Sequence, residues 1–111
     1  MGTFIGTSTG IGSSSNELNR SLPINLTRAY IDGEIISGER CVCNPGNWQY
    51  AYPLYIFEFY IDDVLYHVDE NVESGRFNVP DRTSGKSLFV IVNAFNNYGK
   101  TSVHTEIYTI G

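Results

Sequence analysis

Few residue groupings in this chain have the types and spacing for covalent chemistry, and each fails on context. Gly6-Thr7-Ser8-Thr9-Gly10-Ile11-Gly12 has the G-x-x-x-G-x-G form of a turn that cradles a pyrophosphate. Such a turn works only between a buried strand and the start of a helix. Five residues precede Gly6, and SSSNELNRSLP is a poor helix former. His67 and His104 fall on separate strand-like runs, and no serine sits in an elbow that a histidine could activate. Asp62, Asp63, Asp69 and Glu70 offer oxygen ligands without the regular spacing of a calcium loop, so they read as solvated turns. Cys41 and Cys43 share one face of an extended strand. Two thiols cannot complete a tetrahedral zinc site, and the pair reads as small, reduced, buried apolar side chains. The sequence therefore predicts no catalytic residue, no cofactor and no metal.

The residues with something to offer are aromatic. NPGNWQYAYP (44–53) places Trp48, Tyr50 and Tyr52 within ten residues, bounded by breakers. Aromatic side chains on a loop supply large contact area at little entropic cost. Three roles are open to them: a plug for the end of a β-sandwich, a protein contact, or a stacking platform for a sugar.

The surrounding elements are strands. Eight tyrosines and six phenylalanines, most of them between 48 and 98, favour the pleated, half-buried surface of a sheet. From residue 24 onward, INLTRAYI, ERCVC, YIFEFYI, VLYHV, SGRFNV, SLFVIVNAF and TSVHTEIYTI alternate with turn residues such as Asp32-Gly33, Asn44-Pro45-Gly46 and Pro80-Asp81. YIFEFYI and VLYHV, separated by Asp62-Asp63, read as a hairpin. About seven strands with no amphipathic helix predict an antiparallel β-sandwich. Alternation places Phe57, Phe59 and Ile61 inward and Glu58 outward. On the strand near the C-terminus alternation separates Val90, Val92 and Ala94 from Phe89, Ile91, Asn93 and Phe95, and the register of the family resemblance given below turns the first set inward, which leaves Phe89, Ile91 and Phe95 as an outward apolar row. Such a row needs a cover: either a partner, or the chain's own leading segment or 44–53 loop folded back.

Composition narrows the function classes. A net charge of −5 with seven basic residues argues against nucleic acid, which is bound through clustered Lys and Arg. No apolar run approaches a membrane span. The first residues lack the basic start and long apolar centre of a secretory signal, so a product made in the cytoplasm is expected. Residues 1–22 are rich in Gly, Ser and Thr and carry only Phe4, Ile5, Ile11, Leu18 and Leu22 as large apolar groups. Ordering each backbone unit costs roughly 1–2 kcal/mol. Burying one of five such side chains returns roughly 1.5–3 kcal/mol. The segment cannot fold alone, and reads as an arm that is flexible or ordered by a partner, followed by one domain over 23–111.

YIFEFYIDDVLY, and VESGRFNVPDRTSGKSLFVIVNAFNNYGK with its Asn96-Asn97-Tyr98-Gly99 turn, resemble immunoglobulin-like domains of the polycystic-kidney-disease and bacterial types. That resemblance implies an immunoglobulin-like sandwich and is silent on activity. The chain departs from antibody domains in lacking both the central Trp and a cysteine pair suited to bridge two sheets. A short immunoglobulin-like domain behind a polar arm resembles the capsid decoration and head-fibre proteins of tailed bacteriophages. The resemblance implies a non-enzymatic virion subunit that contacts other virion proteins or its own copies. Phe4, Ile5 and Ile11 would anchor the arm, and Phe89, Ile91 and Phe95 would dock the domain. The alternative is a carbohydrate- or cell-surface-binding module that uses Trp48, Tyr50 and Tyr52.

Overall fold

The computed structural model describes residues 21–111, so Phe4, Ile5 and Ile11 lie outside the described residues. The described chain is all-β, with ten strands and no helix. These are β1 (Ile24–Thr27), β2 (Tyr30–Asp32), β3 (Arg40–Asn44), β4 (Asn47–Gln49), β5 (Tyr55–Ile61), β6 (Val64–Val72), β7 (Gly75–Asn78), β8 (Ser87–Asn96), β9 (Gly99–His104) and β10 (Tyr108–Thr109). The main sheet has the order β6-β5-β8, with β9 and β10 both on the far side of β8. A second sheet runs β2-β3-β7, and β1 and β4 form a two-stranded ribbon. Every pairing is antiparallel.

Three departures raise the strand count from about seven to ten, each for a local reason. INLTRAYI breaks at Arg28-Ala29, where β1 leaves to pair with β4 and β2 turns to pair with β3. The 44–53 segment is not wholly loop, because Asn47–Gln49 pairs with β1. Gly46 permits this with a left-handed φ of 79°, since a Cβ there would fall 2.1 Å from the carbonyl oxygen of Thr27. The last strand is interrupted by Thr105, which is fully buried. Its hydroxyl accepts the Val90 N–H at 3.1 Å in place of a backbone carbonyl and donates to Glu106 O at 2.8 Å. The side chain thus keeps a kink in the ladder satisfied inside the core.

The β5–β6 turn settles its own geometry. Asp62 and Asp63 have φ values of 48° and 67°. Positive φ at both central residues matches the right-handed twist of the flanking strands. Asp62 Oδ1 also accepts the Ser87 N–H at 3.0 Å, which ties the turn to the start of β8.

The two larger sheets share one core. Phe57, Phe59 and Ile61 of β5, inward by alternation, and Leu88, Val90, Val92 and Ala94 of β8 are sealed from solvent. They meet Ile31, Cys41, Cys43 and Phe77 from the facing sheet. Phe59 and Phe77 stack across that interface with ring centres 5.0 Å apart. Gly75 is part of the same packing: the Phe57 ring lies 2.5 Å from where a Cβ would be. Cys41 and Cys43 are buried, free of any disulfide, and on one face. Burial raises the Cys41 thiol to about 11. Burial, with the neighbouring Cys41, raises Cys43 to about 12.

Candidate functional site: an outer sheet face and a tyrosine-lined end

The outer face of the main sheet follows from register, because directly paired residues share a face. Leu65, Tyr60 and Phe89 form one row across β6, β5 and β8. Val68, Glu58, Ile91 and His104 form the next, extending to β9. Ile56, Asn93 and Ser102 form a third, and Phe95 with Lys100 a fourth. Phe89, Ile91 and Phe95 therefore do lie on one face, and all three are half-buried. Phe89 stacks on Tyr60 with ring centres 4.9 Å apart and planes 2° from parallel, and meets His104 edge-on.

This face is not uniformly apolar. A polar chain crosses it from β5 to β9. Tyr60 donates to Glu58 Oε1 at 2.9 Å, Asn93 Nδ2 donates to Glu58 Oε2 at 3.1 Å, and Ser102 donates to Asn93 Oδ1 at 2.6 Å. The bond to the Glu58 carboxylate, with lesser contributions from burial and its charge, raises the Tyr60 phenol above its ordinary value. Asn93 is buried despite facing outward, and its amide also reaches Ile56 O at 3.1 Å. Nothing in the sequence pattern pointed to this chain; only register brings Glu58, Asn93 and Ser102 together.

The edge of the same sheet was also missed. β6 is nine residues long and bounds the sheet, with Val64, Leu65, Tyr66 and Val68 all exposed. A long apolar edge strand is a template for pairing with another chain. Two register irregularities against β5 and the acidic Asp69 and Glu70 interrupt it.

The aromatic segment divides. Trp48 is half-buried in β4 and packs against the core. Its ring lies 6.2 Å from Tyr55, and its indole N–H donates to Pro45 O at 2.7 Å. Tyr50 and Tyr52 instead turn toward the β8–β9 hairpin, where they line a cleft with Asn96, Asn97 and Tyr98. Reasoning about aromatic residues on end loops applied equally to Tyr98, in the Asn97-Tyr98-Gly99 turn. The first described residues meet the same hairpin: Ser21 O accepts from Asn96 Nδ2 at 2.7 Å, and the Leu22 side chain lies over Gly99.

The other candidate groups stay apart. His67 pairs with inward Phe59 and stacks on Phe77, whereas His104 pairs with outward Ile91, so the two histidines flank opposite faces of the sheet. Asp62 and Asp63 form the hairpin tip, while Asp69 Oδ2 accepts the Arg76 N–H at 2.9 Å farther along. Among the described residues no three His, Cys, Asp or Glu side chains group as a metal site, and no helix is long and apolar enough to cross a membrane.

Fold and surface together define an all-β, sandwich-like protein whose distinctive features are a mixed aromatic and polar sheet face and a tyrosine-lined end. No protein-family model matches the chain, and no curated protein is significantly similar to it.

Proposed function

We propose that this protein is a non-enzymatic structural subunit of a larger assembly, with an immunoglobulin-like sandwich as its body. Strand order supports the fold assignment: β2-β3-β7 faces β6-β5-β8-β9, as strands A, B and E face C and its neighbours in that architecture. The observation that carries the functional reading is the outer face of the main sheet. Phe89 continues through Tyr60 to exposed Leu65, and Ile91 lies across Glu58 from exposed Val68, so apolar area interrupted by one carboxylate reaches a strand edge that is unpaired among the described residues. A surface of that kind suits burial against another protein, with Glu58, Asn93 and Ser102 available to set register.

The leading segment supplies the second contact. Twenty residues precede Ser21, and fully extended they reach roughly 65 Å at about 3.3 Å each, far enough to lie on a neighbouring subunit. Phe4, Ile5 and Ile11 are its anchors. Resemblance to tailed-phage proteins makes the particular assembly a virion, with the chain as a capsid decoration or head-fibre subunit. It is made in the host cytoplasm and contacts other virion proteins or its own copies.

Sedimentation across a concentration range tests the self-associating form of this reading. The full chain is expected to form oligomers, and the 21–111 fragment to remain folded but monomeric. Ile91→Lys, whose ammonium can pair with Glu58 on the adjacent strand, is expected to weaken association while leaving the fold intact. A full chain that sediments as a monomer at every concentration overturns it.

A further inference from the structure

The end of the sandwich at the β8–β9 turn carries a small concavity of about 160 Å³, lined by Tyr50, Tyr52, Asn96, Asn97 and Tyr98. Its construction is specific. Asn96 is the hub: its Nδ2 donates to Ser21 O at 2.7 Å and Tyr50 O at 2.8 Å. Its Oδ1 accepts from the N–H groups of Tyr98 at 2.8 Å and Gly99 at 3.2 Å. A carboxamide has two donor hydrogens and two acceptor lone pairs, so Asn96 is spent on holding both tyrosine-bearing segments in place. Tyr50 sits at a left-handed φ of 63°, an uncommon conformation for a bulky residue, and the kind of local strain that clusters at binding sites. The Tyr52 N–H is tied to Phe95 O at 2.9 Å, and its phenol donates to Asn97 Oδ1. That bond turns the Asn97 carboxamide so that its NH₂ group, with two donors, points away from the phenol.

We propose that this cleft binds one ring of a neutral saccharide. Three tyrosines offer flat apolar faces for the C–H side of a pyranose and phenolic groups for its hydroxyls, and Asn97 adds amide donors at the rim. No lining residue is charged, which fits an uncharged ligand. The volume is well below the roughly 300–1,000 Å³ of drug-sized pockets and suits a single ring, not an extended peptide that occupies about 3.1 Å of groove per residue. The backbone at Tyr50 and Tyr98 is already held by Asn96 and the Tyr52 phenol by Asn97, which reduces the ordering that binding requires. Trp48 is outside the site. The inference is independent of the assembly reading, because Tyr50, Tyr52, Asn96, Asn97 and Tyr98 all belong to one chain.

The test is to titrate the full chain with neutral mono- and disaccharides, following backbone amide resonances by NMR. Expected are shifts confined to 50–52 and 96–99 for at least one sugar, at concentrations up to about 50 mM, which saturate a site with a Kd of about 1 mM. Tyr98→Ala, at an exposed position, is expected to weaken binding at least tenfold. Tyr66→Ala, equally exposed on β6, is expected to leave it unchanged. Four results overturn the proposal: no neutral sugar shifts these amides; binding survives Tyr98→Ala; an acidic sugar is preferred over its neutral parent; or only a proline-rich peptide moves them.

Discussion

β8 and β6 belong to one sheet, are ten and nine residues long, and are rich in the same residue types, yet their environments are opposites. β8 has β5 on one side and β9 and β10 on the other, and every second side chain from Leu88 to Ala94 is sealed in the core. Among the described residues β6 pairs on one side only, and Val64, Leu65, Tyr66 and Val68 are exposed. Apolar content therefore measures what a strand can bury, and its place in the sheet decides what it does bury. The apolar surplus on β6 stays in solvent and is what the proposed docking surface draws on, whereas the inward side chains of β5 and β8 stabilise the fold.

The same substitution on the two strands sharpens this contrast most. Leu88→Ala on β8 is expected to cost about 2–5 kcal/mol of unfolding free energy, through lost transfer energy and a residual cavity. Leu65→Ala on β6 is expected to stay within about 0.5 kcal/mol, as ordinary surface changes do. Urea denaturation of both variants measures the difference. Equal costs would mean that β6 is covered by something in the free protein, and the proposed docking surface would be lost.

Smaller, and still confined to the interior, is the effect at Gly75. Gly75→Ala drives a methyl into the Phe57 ring between the sheets, and overpacking of this kind costs about 1–3 kcal/mol. A thermal or urea transition unchanged in this variant would show the two sheets to be less closely packed than the Phe57–Gly75 approach requires.

The third contrast is chemical and is read in pH. Cys41 and Cys43 are raised to about 11 and about 12 by burial, whereas an unfolded thiol titrates near about 8.5. Their contribution to stability is complete below the unfolded value. It is lost as pH rises toward the folded values, because only the unfolded chain sheds the protons. The expected loss is about 1.4 kcal/mol per thiol per pH unit between roughly pH 9 and 11. Burial also raises Tyr55, which adds a loss of the same sign. Urea midpoints for the native chain should therefore fall steeply above pH 9, and those of a Cys41→Ala, Cys43→Ala variant less steeply. Parallel slopes would show that the thiols are solvated.

Much of the interior was legible before the structure. Alternation assigned Phe57, Phe59 and Ile61 inward, because a strand's period of two leaves one face per parity and Glu58 marks the other, whereas Val90, Val92 and Ala94 were placed inward by the register of the immunoglobulin-like resemblance. The Asp62-Asp63 hairpin was equally plain, although its backbone type was open until both φ values proved positive. Less legible was where strands break. Thr105 interrupts the last strand by offering its hydroxyl to Val90, and Gly46 lets Asn47–Gln49 pair with β1. Both depend on residues far away in sequence. Of the candidate binding residues, Phe89, Ile91 and Phe95 share a face as parity requires, whereas Trp48 separates from Tyr50 and Tyr52 because its indole is drawn toward the core by Tyr55 and Pro45.

Local chemistry alone determined that the chain would be β, which side of β5 would be buried, and where the sharpest turn would fall. Those properties depend on nearest neighbours and on the period of a strand. Tertiary structure decided which strand became the edge, how Glu58, Asn93 and Ser102 joined into one chain, and that Tyr98 would complete the cleft begun by Tyr50 and Tyr52. Pairing and register between distant segments bring those groups together, and no local pattern encodes which strand will lie beside which.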